Sequence, residues 1–235
     1  MRLVEPGFVL RDLEAIASMP RYYLWKSTLV GRHAGRRVLE VGCGTGLLLE
    51  RLKGRELLLG VDLNAECARA ARIRLAGIPE ADIREVDVLS PEFASLRETN
   101  PDTVLFVNTI EIVRDDLLAL QQSAGVLGKG GKLVVLASAL PVLAGKLDRS
   151  HGQRRYSREG LTGLMESAGF IVESVRFVNL AGVLGWWLDS RIRGKQEMTP
   201  SAYRNRDIIV PFARLLDAVT GPPLGSLILA VGIKG

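Results

Sequence analysis

The 235-residue sequence predicts a doubly wound α/β fold, and three observations carry that expectation. Apolar runs of strand length recur without polar alternation, as a sheet covered on both faces requires. Helical patterns separate these runs, and helices between strands imply parallel crossovers. The first run passes straight into a glycine loop and an apolar helix start, Val38-Leu39-Glu40-Val41-Gly42-Cys43-Gly44-Thr45-Gly46-Leu47-Leu48-Leu49.

The remaining elements follow in order. Residues 57–62 read as a second strand, followed by an Ala/Arg-rich helix over 64–76. Residues 82–87 form a third strand, and residues 103–108 a fourth with a helix over 115–126 behind it. Gly130-Gly131 turns the chain into a fifth strand at 132–137. A helix over 158–167 precedes a long sixth strand at 170–178, and residues 226–233 close the chain as a seventh. Residues 180–225, with Gly182, Gly185, Trp186, Trp187 and several prolines, are too long for an ordinary connection and read as a functional insertion. The expectation is one domain over 1–235: an N-terminal helical cap (1–34), a cofactor-binding core (35–179), a helical substrate-side insertion (180–225) and the final strand (226–235).

Composition narrows the function classes. Hydrophobic residues make up 47% and charged residues 24%, an ordinary globular balance that argues against disorder. A formal charge of +5 suits acidic substrates, a nucleic acid or an anionic membrane surface, and selects none of them. Cys43 lies in the glycine loop and Cys67 on the following helix, so no disulfide framework is expected. His33 and His151 are the only histidines, and no spacing suits a metal. The first residues lack the pattern of a signal peptide, and the longest apolar stretch, 180–188, falls short of the roughly 18–20 residues that span a bilayer. Cytoplasm is the expected location.

Glycines at alternating loop positions let the backbone turn sharply and approach a ligand without Cβ atoms in the way. The loop also ends at a helix N-terminus, which favours polar or anionic groups. Its spacing is G-x-G-x-G and not the dinucleotide fingerprint G-x-G-x-x-G. Glu40, just before the first glycine, is a poor neighbour for a diphosphate and a good one for a cationic cofactor. Asp62 follows Gly42 by 20 residues, at the carboxyl end of the second strand, where a carboxylate can take both hydroxyls of a ribose. A strand-end aspartate can also cap a helix, a duty Asn64 could share. Asn108 ends the fourth strand, at the crevice where open α/β sheets place ligands.

The string V-L-E-V-G-C-G-T-G closely resembles the first motif of class I S-adenosylmethionine (SAM)-dependent methyltransferases. The resemblance implies a Rossmann-like, mostly parallel sheet whose last strand runs antiparallel. It also implies SAM as cofactor, held by Glu40, Gly42, Gly44, Gly46, Asp62, Leu63, Asp87, Val88 and Asn108, with no metal. Asp87 is the position that accepts a hydrogen bond from adenine, although an aspartate before Ser90-Pro91 also suits a turn. The family's N-V-L-E-H-I-x-D-D segment reads Asn108-Thr109-Ile110-Glu111-Ile112-Val113-Arg114-Asp115-Asp116 here, with Ile112 in place of the histidine. A nicotinamide dehydrogenase would share the acidic residue after the glycines, but not Glu40 before them. A short-chain reductase needs Tyr-x-x-x-Lys, and Gly160 stands four residues after Tyr156.

The acceptor side is read from 146–157. His151 is the candidate general base, with Asp148 to orient it, and Arg149, Arg154 and Arg155 beside Tyr156 suit an anionic or sugar substrate. This segment is similar to D-x-x-x-G-H-x-R-R-Y-S of a methyltransferase subgroup found beside or fused to glycosyltransferases, with glycine and histidine swapped here. Gly185-Trp186-Trp187-Leu188, Gly221-Pro222-Pro223-Leu224-Gly225-Ser226-Leu227, Tyr22 and Trp25 extend that similarity. It implies methylation of a small-molecule hydroxyl on a saccharide, lipid-linked saccharide or natural product. The competing classes are an RNA or protein methyltransferase and a non-catalytic SAM-binding module. No [DNS]-P-P-[YFW] motif follows the fourth strand, so nucleic acid is not the expected partner. The apolar stretch 180–193, with Arg191, Arg193 and Lys195 at its end, leaves three uses open: lining the acceptor pocket, resting on a membrane surface, or forming a homodimer contact. Adjacent Trp186 and Trp187 point in different directions on any regular element, so one of them is expected to reach a cleft or partner.

Overall fold

The computed structural model describes residues 18–145, 148, 152–188 and 200–235. It opens with α1 (Pro20–Gly31), started by a proline at its first turn. The core follows as β1 (Arg37–Val41), α2 (Leu47–Arg51), β2 (Leu57–Asp62), α3 (Ala65–Leu75), β3 (Ala81–Glu85), a 3₁₀ segment at Pro91–Thr99, β4 (Thr103–Val107), α4 (Asp116–Val126) and β5 (Lys132–Ser138). The tail contains α5 (Arg158–Ser167), β6 (Phe170–Val178), α6 (Leu180–Trp187), α7 (Pro200–Thr220) and β7 (Leu227–Lys234). Side chains the sequence places just before the helices cap them. Asn64 accepts from the amides of Glu66 and Cys67, Asp115 from that of Leu118, and Ser157 from that of Gly160.

The seven strands form one sheet in the order β3-β2-β1-β4-β5-β7-β6. β1 pairs in parallel with β2 and β4, and β7 is antiparallel to both β5 and β6. The reversal at β7 has a topological cause. β6 ends at the carboxyl edge of the sheet, α6 and α7 follow there, and the next strand must run back.

Alternation along each strand splits the core in two. Leu39, Val41, Leu59, Val61, Val104, Phe106 and Val135 pack on one face with Phe93 and residues of α4 and α5. Val38, Leu58, Leu105, Val134 and Leu136 pack on the other with Trp25, Leu48, Ala71 and Val210. Strand order reverses at β1, whose neighbours are β2 and β4, and that switch point opens the crevice for a ligand. No helix among the described residues is long and apolar enough to cross a membrane.

Candidate active site

The loop after β1 depends on its glycines. Gly42, Gly44 and Gly46 have φ of +71°, +54° and +77°, a region side chains with a Cβ rarely occupy. A Cβ on Gly42 would stand 2.3 Å from Thr109 Cγ2, so the loop and the turn after β4 close on each other only because that atom is missing. α2 spans just five residues, which leaves little macrodipole. Gly42 is half-buried and Cys43 to Gly46 are buried.

Asp62 secures this loop to the end of β2. One carboxylate oxygen accepts from the Gly44 amide at 2.8 Å and the other from the Asn64 amide at 2.9 Å. Burial raises its pKa, and these two amide donors pull it back. Leu63 beside it is 70% exposed, and the large apolar side chain lies open at the crevice. β3 stops at Glu85, two residues short of the expected end, so Asp87 lies in a turn where its carboxylate accepts from the Leu89 amide at 2.9 Å. Asp87 is exposed and Val88 is buried.

Two buried carboxylates define the floor. Glu40 is 3% exposed, and its Oε2 has no hydrogen-bond partner. Burial raises its pKa well above the usual carboxylate range, against the pull of Lys26. Glu111 is fully buried. Its Oε1 accepts from Asn108 Nδ2, the Ser138 amide and hydroxyl, and Gln153 Nε2, while its Oε2 has no partner. Asn108 holds the left-handed conformation, φ 56°, and its amide bridges Glu111 and Lys26.

Lys26 was not legible as a site residue from the chain, yet it reaches this floor from α1. Its ammonium is buried, donates at 3.4 Å to Asn108 Oδ1, and lies 4.9 and 4.3 Å from the Tyr22 and Tyr23 ring centroids. Burial lowers its pKa to about 8, with Glu40 and then Glu111 opposing that shift. No carboxylate oxygen of the described residues lies within ion-pair distance of it. One cation, held apart from two carboxylates that each keep a buried oxygen without a partner among the described residues, complements a zwitterionic or cationic ligand. The amino-acid end and sulfonium of SAM fit this donor and acceptor set.

Of the arginine cluster, Arg154 and Arg155 are engaged internally, contrary to the expectation of an anion-binding loop. Arg154 donates to the carbonyls of Ile110, Val113 and Arg114 and pairs with Asp116. Arg155 forms a buried pair with Asp148 at 2.8 Å, donates to the Ala139 carbonyl and stacks 4.5 Å from the Trp186 ring. The Tyr156 hydroxyl lies 2.9 Å from Asp116 Oδ2 and 3.2 Å from the Ile110 carbonyl, sharing its one proton between them, and burial raises its pKa, with Asp116 raising it further. The segment fastens the turn after β4 to β5 and holds the Arg155 and Tyr156 side chains in the interior. Asp148 accepts from Arg155 and the Gly145 amide, and His151 lies outside the described residues, as does Arg149. The two indoles diverge as expected: Trp186 stacks inward under Arg155, and Trp187 is 46% exposed.

Glycine loop, strand-end aspartate and antiparallel seventh strand together define a class I methyltransferase fold. A family model described as methyltransferase domain matches residues 19–175, and the chain belongs to that family. S-adenosylmethionine is the cofactor of this family. A ubiquinone biosynthesis O-methyltransferase of Paracidovorax citrulli is 34% identical over 41% of this chain and 41% of its own length. A phosphatidylethanolamine N-methyltransferase of Cereibacter sphaeroides is 30% identical over 43% of this chain and 50% of its own. The chain thus spans about half the length of these curated relatives or less. A solved SAM-dependent methyltransferase of Thermotoga maritima superposes with a TM-score of 0.65 at 20% identity, over 98% of both chains, a likeness of fold.

Proposed function

We propose that the protein transfers the methyl group of SAM to a hydroxyl of a small-molecule acceptor, and that residues 1–235 act as one catalytic domain. The observation that carries the cofactor half is the unpartnered Glu40 oxygen near the buried Lys26 ammonium, beside three left-handed glycines at the switch point. When bound, the cofactor supplies an electrophilic methyl on a good leaving group. The loop backbone at Gly42, Gly44 and Gly46 admits it closely, and Asp62 accepts from the ribose hydroxyls. Leu63 and Val88 offer apolar surface to the adenine, Asp87 an acceptor. Glu40 and Lys26 hold the ammonium and carboxylate of the amino-acid end, while Asn108 and Glu111 keep Lys26 in place. Tyr22 and Tyr23 close the space over the ammonium and exclude water.

Holding an acceptor in line with the methyl can supply roughly 7–11 kcal/mol in favourable cases. A hydroxyl must also lose its proton, and His151 is assigned as the base. The hydroxyl reading draws support from the O-methyltransferase among the relatives and from the similarity to the glycosyltransferase-linked subgroup, which favours a saccharide or lipid-linked saccharide.

Titration calorimetry with SAM tests the first half. Asp62→Ala is expected to weaken binding roughly 10–100-fold, the worth of charge-assisted hydrogen bonds, and equal affinity would remove Asp62 from the site. Transfer of labelled methyl to panels of hydroxyl, amine and RNA acceptors tests the second. Products on hydroxyls support the reading. Products on amines alone would make this an N-methyltransferase, products on RNA would overturn the acceptor class, and binding without turnover would leave a SAM-binding module.

A further inference from the structure

The longest helix among the described residues is inside out. α7 turns Asp207, Val210 and Ala213 inward, each below one tenth exposed. Its large apolar residues face away: Ile208 is 60% exposed, Ile209 55%, Phe212 73% and Leu215 65%. At 100° per residue these four occupy an arc of about 120°, opposite the inward set.

The inversion has a cause in long-range hydrogen bonds. Asp207 accepts from the amides of Arg21 and Tyr22 at the start of α1, and Asp217 accepts from those of Asn179 and Leu180 at the start of α6. Two carboxylates of α7 thereby serve as remote caps for two neighbouring helices, and satisfying them dictates which face turns in. The exposed stripe continues onto α6, where no residue is buried and Leu184, Trp187 and Leu188 are 69%, 46% and 40% exposed. A contiguous apolar surface of this kind calls for a partner.

We propose that this face, α7 with the end of α6, docks on the interface of an anionic lipid bilayer. Charge selects the occupant. Residues 189–214 carry Arg191, Arg193, Lys195, Arg204, Arg206 and Arg214 against Asp189, Glu197 and Asp207, and Asp207 is turned inward on α1. An apolar helix face with arginines before and within the helix in the sequence, beside an exposed indole, has the composition of an interfacial helix. The helix is not apolar enough to span the bilayer, so it lies on the surface. α7 also packs against α1, which carries Lys26, and against α6, which carries Trp186, so the docked face adjoins the walls of the crevice. The proposal does not depend on methyl transfer.

Vesicle co-sedimentation of the full chain, without SAM, tests it. Binding to phosphatidylcholine vesicles containing about a third phosphatidylglycerol is expected, with at least tenfold weaker binding to pure phosphatidylcholine and weakening by added salt. Phe212→Glu with Leu215→Glu is expected to lower affinity about tenfold or more, with circular dichroism and SAM affinity unchanged. Should that pair not fold, Ile208→Ser with Trp187→Ser serves, and a blue shift of wild-type tryptophan fluorescence on vesicles, lost in Trp187→Phe, reports insertion independently. No sedimentation with either vesicle overturns the proposal. A concentration-dependent dimer dissociated by the same substitutions overturns it in favour of a second copy of this chain.

Discussion

The sheet with its glycine loop and the helical pair α6–α7 obey opposite rules of burial. In β1, β2, β4 and β5 nearly every apolar side chain is below 5% exposed, and polar groups collect where the backbone turns. In α7 the carboxylates are inward and Phe212 is nearly three-quarters exposed. A strand that is apolar on both faces has one destination, between two layers. An amphipathic helix announces two faces, and hydrogen-bond demand from neighbours can choose the acidic one for the inside. Hydrophobic patterning is therefore a reliable guide to burial only where no buried amide competes for the same face.

Substitutions can break or sharpen that contrast. The largest effect belongs to the loop. Gly42→Ala forces a Cβ onto Thr109 at a positive φ, and an expected loss of roughly 2–4 kcal/mol, read by urea unfolding, combines steric and backbone strain. Next comes Lys26, whose folded pKa of about 8 lies below its unfolded value of 10.5. Between those pH values the unfolded chain binds more protons, so Lys26 makes the protein more stable as pH rises from about 8 to 10.5. Relative to Lys26→Met, the wild type should gain roughly 3 kcal/mol over that window. Parallel pH profiles for the two proteins would show that the ammonium is solvated.

Smaller still is Asp207→Ala, which should cost about 1–2 kcal/mol by uncapping α1. Ile208→Ser, on the adjacent residue, should change stability by less than about 0.5 kcal/mol in the absence of lipid. If the order of that last pair were reversed, α7 would face the other way and the contrast would vanish.

Much of the site could be read along the chain because its parts are local. Gly42, Gly44, Gly46 and Asp62 belong to one strand-loop-helix-strand unit, where spacing alone sets the geometry. Asn64 was legible as a helix cap by residue type, and the structure shows Asp115 and Ser157 capping by the same chemistry. Lys26 gave no such signal. It stands between Trp25 and Ser27 in a helix with little polar segregation, and only packing against the carboxyl ends of β1 and β4 makes it a buried cation. Glu111 was visible as part of a motif, but its four donors come from Asn108, Ser138 and Gln153, brought together by the β4–β5 pairing and the turn beyond. Arg154 and Arg155 looked available because arginine is usually solvated, and the fold consumes both on carbonyls and acids.

By itself the chain determined the doubly wound sheet and the glycine loop, because continuous apolar strands need cover on both faces and the loop's glycines free the backbone, while the antiparallel close was legible only through the family resemblance. Tertiary structure alone decided which charges are buried together and which face of α7 meets solvent. Those choices rest on hydrogen bonds between residues up to 186 positions apart, and no local pattern can carry them.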